Sequence, residues 1–365
     1  EEGGAKETWF VSRGTEGRDK TVSQLCHTNP LSSATSNTAS IDQTHTMKEF
    51  KILALDGGGL KGLFTAKLLA DLETHLGVKI ADHFDLITGT STGAIIAIAL
   101  GLRVPTSEIL RFYREKGPQI FDAPSMGVLK AKYSADPLKK ALTEVFGERT
   151  LGESRTALVI PAFNIQRREV KLFKTRHSSR LLKDCKMRAV DVAMASAAAP
   201  TYLPSFVDDS MIQYVDGGVW ANNPAMVGVV EAMSVLGAER SSISVLSIGT
   251  TKEVVRMDAV KQDGGIAAWA LKASDVFIGA DSSGTHAMVE LLLRDHPDED
   301  ASRYVRINPE VAAGEFKLDR VSDQLIALGA REAEHASRNL RRRFFESKAP
   351  AFEPIPFPQS ETLAA

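Results

Sequence analysis

The chain is poor in cysteine and has no long apolar run. Only Cys26 and Cys185 occur among its 365 residues, and neither lies in a C-x-x-C pair or at a spacing typical of metal ligands. We therefore expect neither a disulfide framework nor a zinc site. The longest apolar run, Ala94 to Leu102, is far shorter than the roughly 18 residues that a membrane-spanning helix needs. Because no secretion signal opens the sequence, we expect a cytoplasmic protein.

The chain also has no large net charge of either sign. The formal net charge is −2, with 43% hydrophobic and 25% charged residues, as in ordinary globular proteins. This balance argues against a nucleic acid polymer as partner. Residues 1–46 are polar and aperiodic, which predicts an N-terminal arm that is flexible or foreign to the natural protein. We expect one folded domain over 47–348 and a Pro-rich extended tail over 349–365.

Strand-like and helix-like segments alternate between residues 47 and 348. This alternation predicts an α/β fold, a three-layer α/β/α sandwich with a largely parallel central sheet. Segments 156–164 and 168–174 predict a hairpin within that sheet. Further along, the pattern predicts two helices near 263–280 and 285–294, and a long helix over 319–345.

A glycine-rich loop follows the first predicted strand. The stretch L-A-L-D-G-G-G-L-K-G-L-F, Leu53 to Phe64, satisfies G-x-G-x-x-G, which is typical of dinucleotide binding. That interpretation requires an acidic residue at the end of the next strand, about 20 residues on, to hold the ribose. Here the next strand carries Asp85 at its start and runs into Gly89-Thr90-Ser91-Thr92-Gly93. The sequence therefore does not favour an NAD enzyme.

The second glycine motif is G-x-S-x-G between a strand and a helix, the context of a nucleophile elbow. Its flanking glycines allow a sharp turn that exposes the Ser91 hydroxyl, and the following helix directs its positive end toward developing charge. An esterase also needs backbone N–H donors for an oxyanion. Gly57, Gly58 and Gly59 end the neighbouring strand and are the predicted oxyanion hole.

Serine needs a proton acceptor. Asp216 ends another predicted strand, in Y-V-D-G-G-V-W-A-N-N-P, where it is expected to reach Ser91. A free aspartate, with a pKa near 3.9, is a weak base unless burial or hydrogen bonding changes it. Two alternatives stay open: a Ser-Asp-His triad and a non-catalytic nucleotide-binding module. The triad would use one of the histidines that follow Asp216, namely His286, His296 and His335.

Four blocks together resemble those of the patatin-like phospholipases, in the same order: D-G-G-G-L-K-G (56–62), G-T-S-T-G (89–93), A-S-A-A-A-P (195–200) and D-G-G-V-W-A-N-N-P (216–224). The resemblance covers residues 47–345. It implies a serine lipid acyl hydrolase that cleaves phospholipid acyl esters and releases fatty acids. Ser91 would be the nucleophile and Asp216 the base of a dyad without histidine. No cofactor and no metal are implied.

Part of the chain also resembles phospholipase effectors of bacterial anti-phage signalling, through the compact domain and the segment Leu318-Asp319-Arg320-Val321-Ser322-Asp323. Those enzymes degrade membrane phospholipids once a cyclic dinucleotide such as cyclic GMP-AMP binds. The resemblance implies cyclic GMP-AMP as activating ligand and a phospholipid membrane surface as partner. The enzyme would associate peripherally with the inner membrane when active.

Positive charge is concentrated in residues 167–188, with nine basic residues against two acidic ones and a local net charge of +7. Three roles stay open for this basic segment: docking on anionic headgroups, holding a phosphate-bearing activator, or forming a solvated rim. The expected anion contacts are Lys61, Arg167, Arg168, Arg176 and Arg180. Lys61 stands where the family usually has arginine, so any grip on phosphate would lack the paired hydrogen bonds of a guanidinium.

Overall fold

A computed structural model of the chain describes residues 48–122, 124, 130–254, 273–296 and 302–358. The predicted N-terminal arm therefore lies outside the described residues. The strands are β1 (Phe50–Leu55), β2 (Leu86–Gly89), β3 (Ala157–Asn164), β4 (Glu169–Lys174), β5 (Phe206–Val207), β6 (Gln213–Asp216), β7 (Ile243–Ile248), β8 (Lys252–Val254), β9 (Tyr304–Ile307) and β10 (Glu310–Ala312). The helices are α1 (Gly62–Leu76), α2 (Thr92–Gly101), α3 (Thr106–Arg111), α4 (Gly117–Ile120), α5 (Asp136–Phe146), α6 (Ala189–Ala197), α7 (Gly218–Ala221), α8 (Ala225–Ser234), α9 (Ala273–Leu292) and α10 (Asp323–Leu340).

The main sheet has the order β5-β6-β3-β2-β1-β7-β9, with β4 pairing β3 in addition. Strands β9, β7, β1, β2 and β3 are parallel, whereas β4 and β6 run antiparallel to β3. Leu55 is paired with both Gly89 and Ile248, so β1, β2 and β7 end at the same level. The loops that follow these strands therefore open together at one side of the sheet, called here the carboxyl edge.

Strand β1 shows how the layers form. Ile52 and Ala54 belong to one buried apolar cluster, while Leu53 and Leu55 belong to the other. Because successive side chains of a strand point to opposite faces, the two clusters lie on the two faces of the sheet. Residues of α1, α2 and α10 contribute to the first face, and residues of α8 and α9 to the second. The predicted three-layer α/β/α sandwich is confirmed.

One local prediction is wrong in detail. Instead of separate helices near 263–280 and 285–294, a continuous helix α9 covers Ala273–Leu292, and residues 263–272 lie outside the described part. The polar stretch within it has tertiary partners, since Asp281 accepts from the Asn223 N–H at 3.1 Å and Ser282 donates to Asp56 at 3.2 Å. Across the described residues, no helix is both long and apolar enough to span a membrane.

Candidate active site

Ser91 lies in the turn between β2 and α2, with backbone angles φ 56° and ψ −119° that a side-chain-bearing residue rarely adopts. The two flanking glycines make this turn possible. A Cβ atom on Gly89 would overlap the Gly93 carbonyl, and one on Gly93 would overlap the carbonyl of Leu55 in β1. The spacing G-x-S-x-G is thus explained by close backbone approach, as in a nucleophile elbow.

The register of strands β2, β3 and β6 places Asp216 beside Ser91. Thr88 in β2 pairs with Val159, and Ala162 further along β3 pairs with Asp216 at the end of β6. The antiparallel strand β6 therefore brings the Asp216 carboxylate to the level of the elbow. There the Ser91 hydroxyl donates a hydrogen bond to the carboxylate, and the Gly218 N–H donates a second one at 2.6 Å.

Burial determines the basicity of Asp216, which is only 5% exposed. Loss of solvation raises the pKa of the carboxyl group to about 6, although the hydrogen bonds from Ser91 and Gly218 act in the opposite direction. A carboxylate with this pKa is ionised at neutral pH and is more basic than a free aspartate. The arrangement therefore meets the physical requirement that the sequence alone left open.

The A-S-A-A-A-P block, for which the sequence predicted no individual role, connects the two candidate residues. The Ser196 hydroxyl accepts from the Ser91 N–H at 3.1 Å and donates to the Pro161 carbonyl at 2.6 Å. The backbone N–H of Asp216 donates to the Ala198 carbonyl at 3.0 Å. This segment at the end of α6 thus positions both the elbow and the strand that carries Asp216.

The glycine loop lies beside the elbow, since a Cβ atom on Gly57 would be 3.3 Å from Cβ of Ser91. Its three amides are not equivalent. The Gly57 N–H donates to the Asn222 carbonyl at 3.0 Å, whereas no acceptor among the described residues takes the N–H of Gly58 or Gly59. The sequence predicted an oxyanion hole formed by all three amides. Because the Gly57 amide already donates to Asn222, only the amides of Gly58 and Gly59 remain available for that role.

We expect Gly58→Ala to lower turnover by about 10²- to 10³-fold and to cost about 1–3 kcal/mol of stability, because the added methyl group overpacks the loop. An added Cβ atom would overlap the side chain of Thr250, whose hydroxyl donates to the Gly57 carbonyl at 3.1 Å, so the loop must shift. Gly284→Ala is the matched control, because no atom lies within 4 Å of a Cβ atom placed there. Turnover of Gly58→Ala equal to that of the control would remove this amide from the mechanism.

A buried ion pair behind the glycine loop was not predicted. Asp56, which precedes Gly57, accepts from both terminal nitrogens of Arg306 at 2.8 and 2.5 Å. Arg306 also donates to Ser247 at 2.6 Å and to Ser282 of α9 at 2.9 Å. This network ties β9, β7 and α9 to the base of the loop. The available sequence signal was an arginine inside the otherwise apolar strand Tyr304–Ile307.

Lys61, at the start of α1, is nearly buried and has its ammonium nitrogen 3.7 Å from the Glu253 carboxylate. Glu253 in β8 also accepts from the Gly314 N–H at 3.1 Å. Lys61 was expected to contact an anion. Its positive charge is instead balanced by the Glu253 carboxylate, beside the glycine loop.

The basic segment begins at the tip of the β3–β4 hairpin and continues along β4. Arg167 and Arg168 lie in the turn between β3 and β4, at the carboxyl edge, and are exposed. Strand β4 runs back as far as Lys174, which pairs with Val159 in β3. Val159 also pairs with Thr88 beside the elbow, so β4 ends near the level of Ser91, about 20 Å from the hairpin tip. Arg180 follows β4 and is exposed.

Arg176 does not fit the predicted role of anion contact. It is 2% exposed, and its guanidinium donates to the carbonyls of Ile355 at 2.5 Å, Pro356 at 2.7 Å and Leu181 at 3.1 Å. Phe357 packs over the guanidinium carbon, 4.1 Å from the ring centroid. Because every nitrogen of the group is occupied, Arg176 binds the Pro-rich tail of its own chain, and we remove it from the candidate contacts.

The histidines of the alternative triad lie elsewhere. His286 is on α9 with its ring stacked on Tyr304, while His296 and His335 are exposed. The Asp216 carboxylate instead accepts hydrogen bonds from Ser91 and Gly218. Within the described ranges, no group of three His, Cys, Asp or Glu side chains is placed to hold a metal ion.

Accordingly, His286→Ala, His296→Ala and His335→Ala should each keep kcat/KM for a soluble ester within about threefold of the unmodified chain. Loss of a general base would instead cost roughly 10²- to 10⁴-fold. Far-ultraviolet circular dichroism separates misfolding from a catalytic effect. A collapse of activity in one folded histidine variant would favour the triad.

Comparison with known proteins identifies the family of the chain. Residues 53–229 match the family described as patatin-like phospholipase. A Pseudomonas aeruginosa protein named cGAMP-activated phospholipase is 35% identical over 285 residues, which are 75% of this chain and 83% of the relative. A Vibrio cholerae protein of the same name is 29% identical over 311 residues, covering 76% of this chain and 87% of the relative. Patatin-like protein 4 of Arabidopsis thaliana is 35% identical over 209 residues, half of this chain and 52% of the relative.

Proposed function

The chain belongs to the patatin-like phospholipase family, and from this premise we propose that it hydrolyses phospholipid acyl esters through Ser91 and Asp216. The observation that carries the assignment of residues is the hydrogen bond between the strained Ser91 and the buried carboxylate of Asp216. Ser91 stands at the carboxyl edge of the sheet, at the start of the buried helix α2.

The proposed reaction has two halves. Asp216 takes the proton of the Ser91 hydroxyl while Oγ attacks the carbonyl carbon of the ester. The N–H groups of Gly58 and Gly59 donate to the resulting oxyanion, and the positive end of α2 favours the same charge. The alcohol then leaves as a lysophospholipid with the proton from Asp216. In the second half a water molecule gives a proton to Asp216 and attacks the carbonyl carbon of the acyl-Ser91 ester. The Oγ of Ser91 then leaves with that proton from Asp216, which releases the fatty acid and restores both residues.

We also propose that a cyclic dinucleotide, cyclic GMP-AMP in particular, activates the enzyme. Support comes from the two bacterial relatives with that activator in their names, each aligned over about three quarters of this chain. A ligand activates only if it binds the active state more tightly than the inactive one. We further propose a cytoplasmic enzyme that associates with the inner membrane while active.

The test is release of free fatty acid from phospholipid vesicles by the purified full chain, with and without cyclic GMP-AMP. We expect release that rises with the nucleotide and is absent in Ser91→Ala. A folded protein that binds the nucleotide but releases no fatty acid under either condition would support the alternative of a non-catalytic nucleotide-binding module. Equal release with and without the nucleotide would remove activation while leaving the hydrolase.

A further inference from the structure

Exposed apolar side chains are concentrated at the carboxyl edge of the sheet. Among the described residues, fifteen large apolar side chains are exposed, and eight of them belong to loops, turns and element ends at this edge. We call these eight the apolar rim: Ile165, Val170, Val207, Met211, Val219, Val254, Val276 and Phe277. Single exposed apolar residues are normal, whereas a group on one side of a protein indicates an interaction surface.

Two hairpins build half of this rim. The tip of the β3–β4 hairpin and the tip of the β5–β6 hairpin lie side by side, because the Ile165 N–H donates to the Gln213 carbonyl at 3.1 Å. The Gln166 side chain also donates to the Met211 carbonyl at 3.0 Å. Met211, at the outermost turn, is 73% exposed. From this tip, β6 leads back over four residues to Asp216.

Helix α9 supplies a second part of the rim. Asp281 and Ser282 are level with the ends of β1 and β7, because Ser282 donates to Asp56 and Asp281 accepts from Asn223, whose side chain accepts from Ser247. The other end of α9 is at the opposite edge, where Arg240 donates to the Leu292 carbonyl at 2.9 Å. The helix therefore carries Phe277 about 6 Å past Asp281, beyond the edge of the sheet. Phe277 is 68% exposed there.

We propose that the apolar rim is the surface that docks on a phospholipid bilayer, an inference that rests on the proposed function. The candidate nucleophile Ser91 opens at the same edge, so a docked rim gives a lipid ester the shortest route to it. Arg167 and Arg168 at the hairpin tip contact headgroups. Glu169 follows them in sequence, and Asp208 and Asp209 lie in the adjoining turn between β5 and β6, so insertion of apolar side chains rather than charge supplies the affinity.

The distal part of the basic segment is the competing surface. It carries the exposed Arg180, Lys183 and Lys186, and Asp184 joins it to β4 through an ion pair with Lys171. A bilayer held there by charge would bind less tightly as salt is added, whereas apolar insertion is insensitive to salt. Salt dependence therefore separates the two surfaces.

The experiment measures co-sedimentation of the full chain with vesicles of phosphatidylcholine and phosphatidylglycerol, with cyclic GMP-AMP present. Ser91→Ala is used as the background so that the vesicles stay intact. Met211→Ser/Phe277→Ser should weaken binding about 100-fold, roughly tenfold for each apolar side chain removed from the bilayer. Met288→Ser/Leu291→Ser is the matched control, since these residues are 53% and 63% exposed but lie on the distal part of α9. The control should stay within about twofold, at low and at high salt.

Several results would overturn the proposal: no binding by the background protein, equal losses in the rim and control variants, or loss only in Arg180→Glu/Lys183→Glu. Sedimentation velocity tests whether a second copy of the chain occupies the rim instead. If the rim substitutions dissociate a dimer but leave vesicle binding unchanged, the rim is an interface between copies. Hydrolysis of a soluble ester by the chain with Ser91 intact is measured in parallel. If the chain hydrolyses the soluble ester normally but the rim variant binds vesicles as well as the background protein does, only the docking proposal is rejected. If vesicle binding depends on the rim but no ester is hydrolysed, only the proposed function is rejected.

Discussion

Ser91→Ala is expected to lower hydrolysis of phospholipids and of soluble esters by about 10⁴- to 10⁶-fold, the range seen when a serine nucleophile is removed. The hydroxyl is the group that would form the acyl intermediate, and its hydrogen bond to Asp216 places it for proton transfer. The Asp216 carboxylate and the free amides of Gly58 and Gly59 remain in the variant. The residual rate therefore measures what they contribute without a nucleophile.

Covalent labelling with a fluorophosphonate separates loss of the nucleophile from loss of the fold. The unmodified chain should be labelled on Ser91, and Ser91→Ala should not be labelled. Ser196→Ala is the matched control, because Ser196 is a buried neighbour whose hydroxyl accepts from the Ser91 N–H. Ser196→Ala removes the hydrogen bond that supports the turn at Ser91, so its turnover should fall, but Ser91 should still be labelled. Full labelling of Ser91→Ala would assign the nucleophile to another residue.

The elbow was predictable because its geometry depends on residues close in sequence. Gly89 and Gly93 are four positions apart, and their lack of side chains permits the turn that the structure shows. Asp216 was expected next to Ser91 because it ends a strand, but that rule holds for parallel strands, and β6 runs antiparallel to β3. What the sequence did not contain was the register of β6 on β3, which sets the actual depth of the carboxylate.

The occupied amide of Gly57 was not predictable from the glycine pattern. Its acceptor, the carbonyl of Asn222, comes from the loop after β6, and only the packed fold brings the two loops together. The pair of Asp56 and Arg306 has the same origin, with partners 250 positions apart. In both cases long-range hydrogen bonds determine which groups of a local motif stay available for chemistry.

Charge density along the sequence was misleading for a different reason. The basic segment is continuous in sequence, but the extended strand β4 carries Lys174 away from the hairpin tip that holds Arg167 and Arg168. Burial then removes Arg176 from the surface, and ion pairs engage Lys171 with Asp184 at 2.7 Å and Lys174 with Glu231 at 2.6 Å. A sum of charges does not reveal which edge each charge faces or which partner it already has.

Helix α9 connects the candidate site with the rim. Through Ser282 and Asp281 it contacts Asp56, which precedes the glycine loop, and Asn223, which follows Asp216 along the chain. Its first turns carry Val276 and Phe277 of the rim. One helix therefore both supports Asp56 and carries part of the proposed docking surface.

Asp216→Asn should lower kcat/KM by roughly 10²- to 10⁴-fold, because an amide cannot accept the serine proton. In the unmodified chain, kcat/KM should fall about tenfold for each pH unit below the pKa of about 6, since the protonated carboxyl is no longer a base. The variant should lack this pH dependence. A profile of the unmodified enzyme that stays flat between pH 5 and 7 would contradict Asp216 as the base.

The same substitution is expected to stabilise the fold at neutral pH. The pKa of Asp216 is raised from 3.8 to about 6, so the folded chain binds this proton more tightly than the unfolded chain does. Keeping the carboxylate ionised in the folded chain therefore costs about 3 kcal/mol above pH 7, and this cost falls to about 1 kcal/mol near pH 4.5. Urea unfolding should show Asp216→Asn more stable than the unmodified chain at pH 7.5, with only about a third of that gain at pH 4.5. Ser91→Ala, which keeps the carboxylate, serves as control and should not show this pH-dependent gain. A stability difference for Asp216→Asn that is the same at both pH values would mean that the buried carboxylate is not the charged group whose cost is being removed.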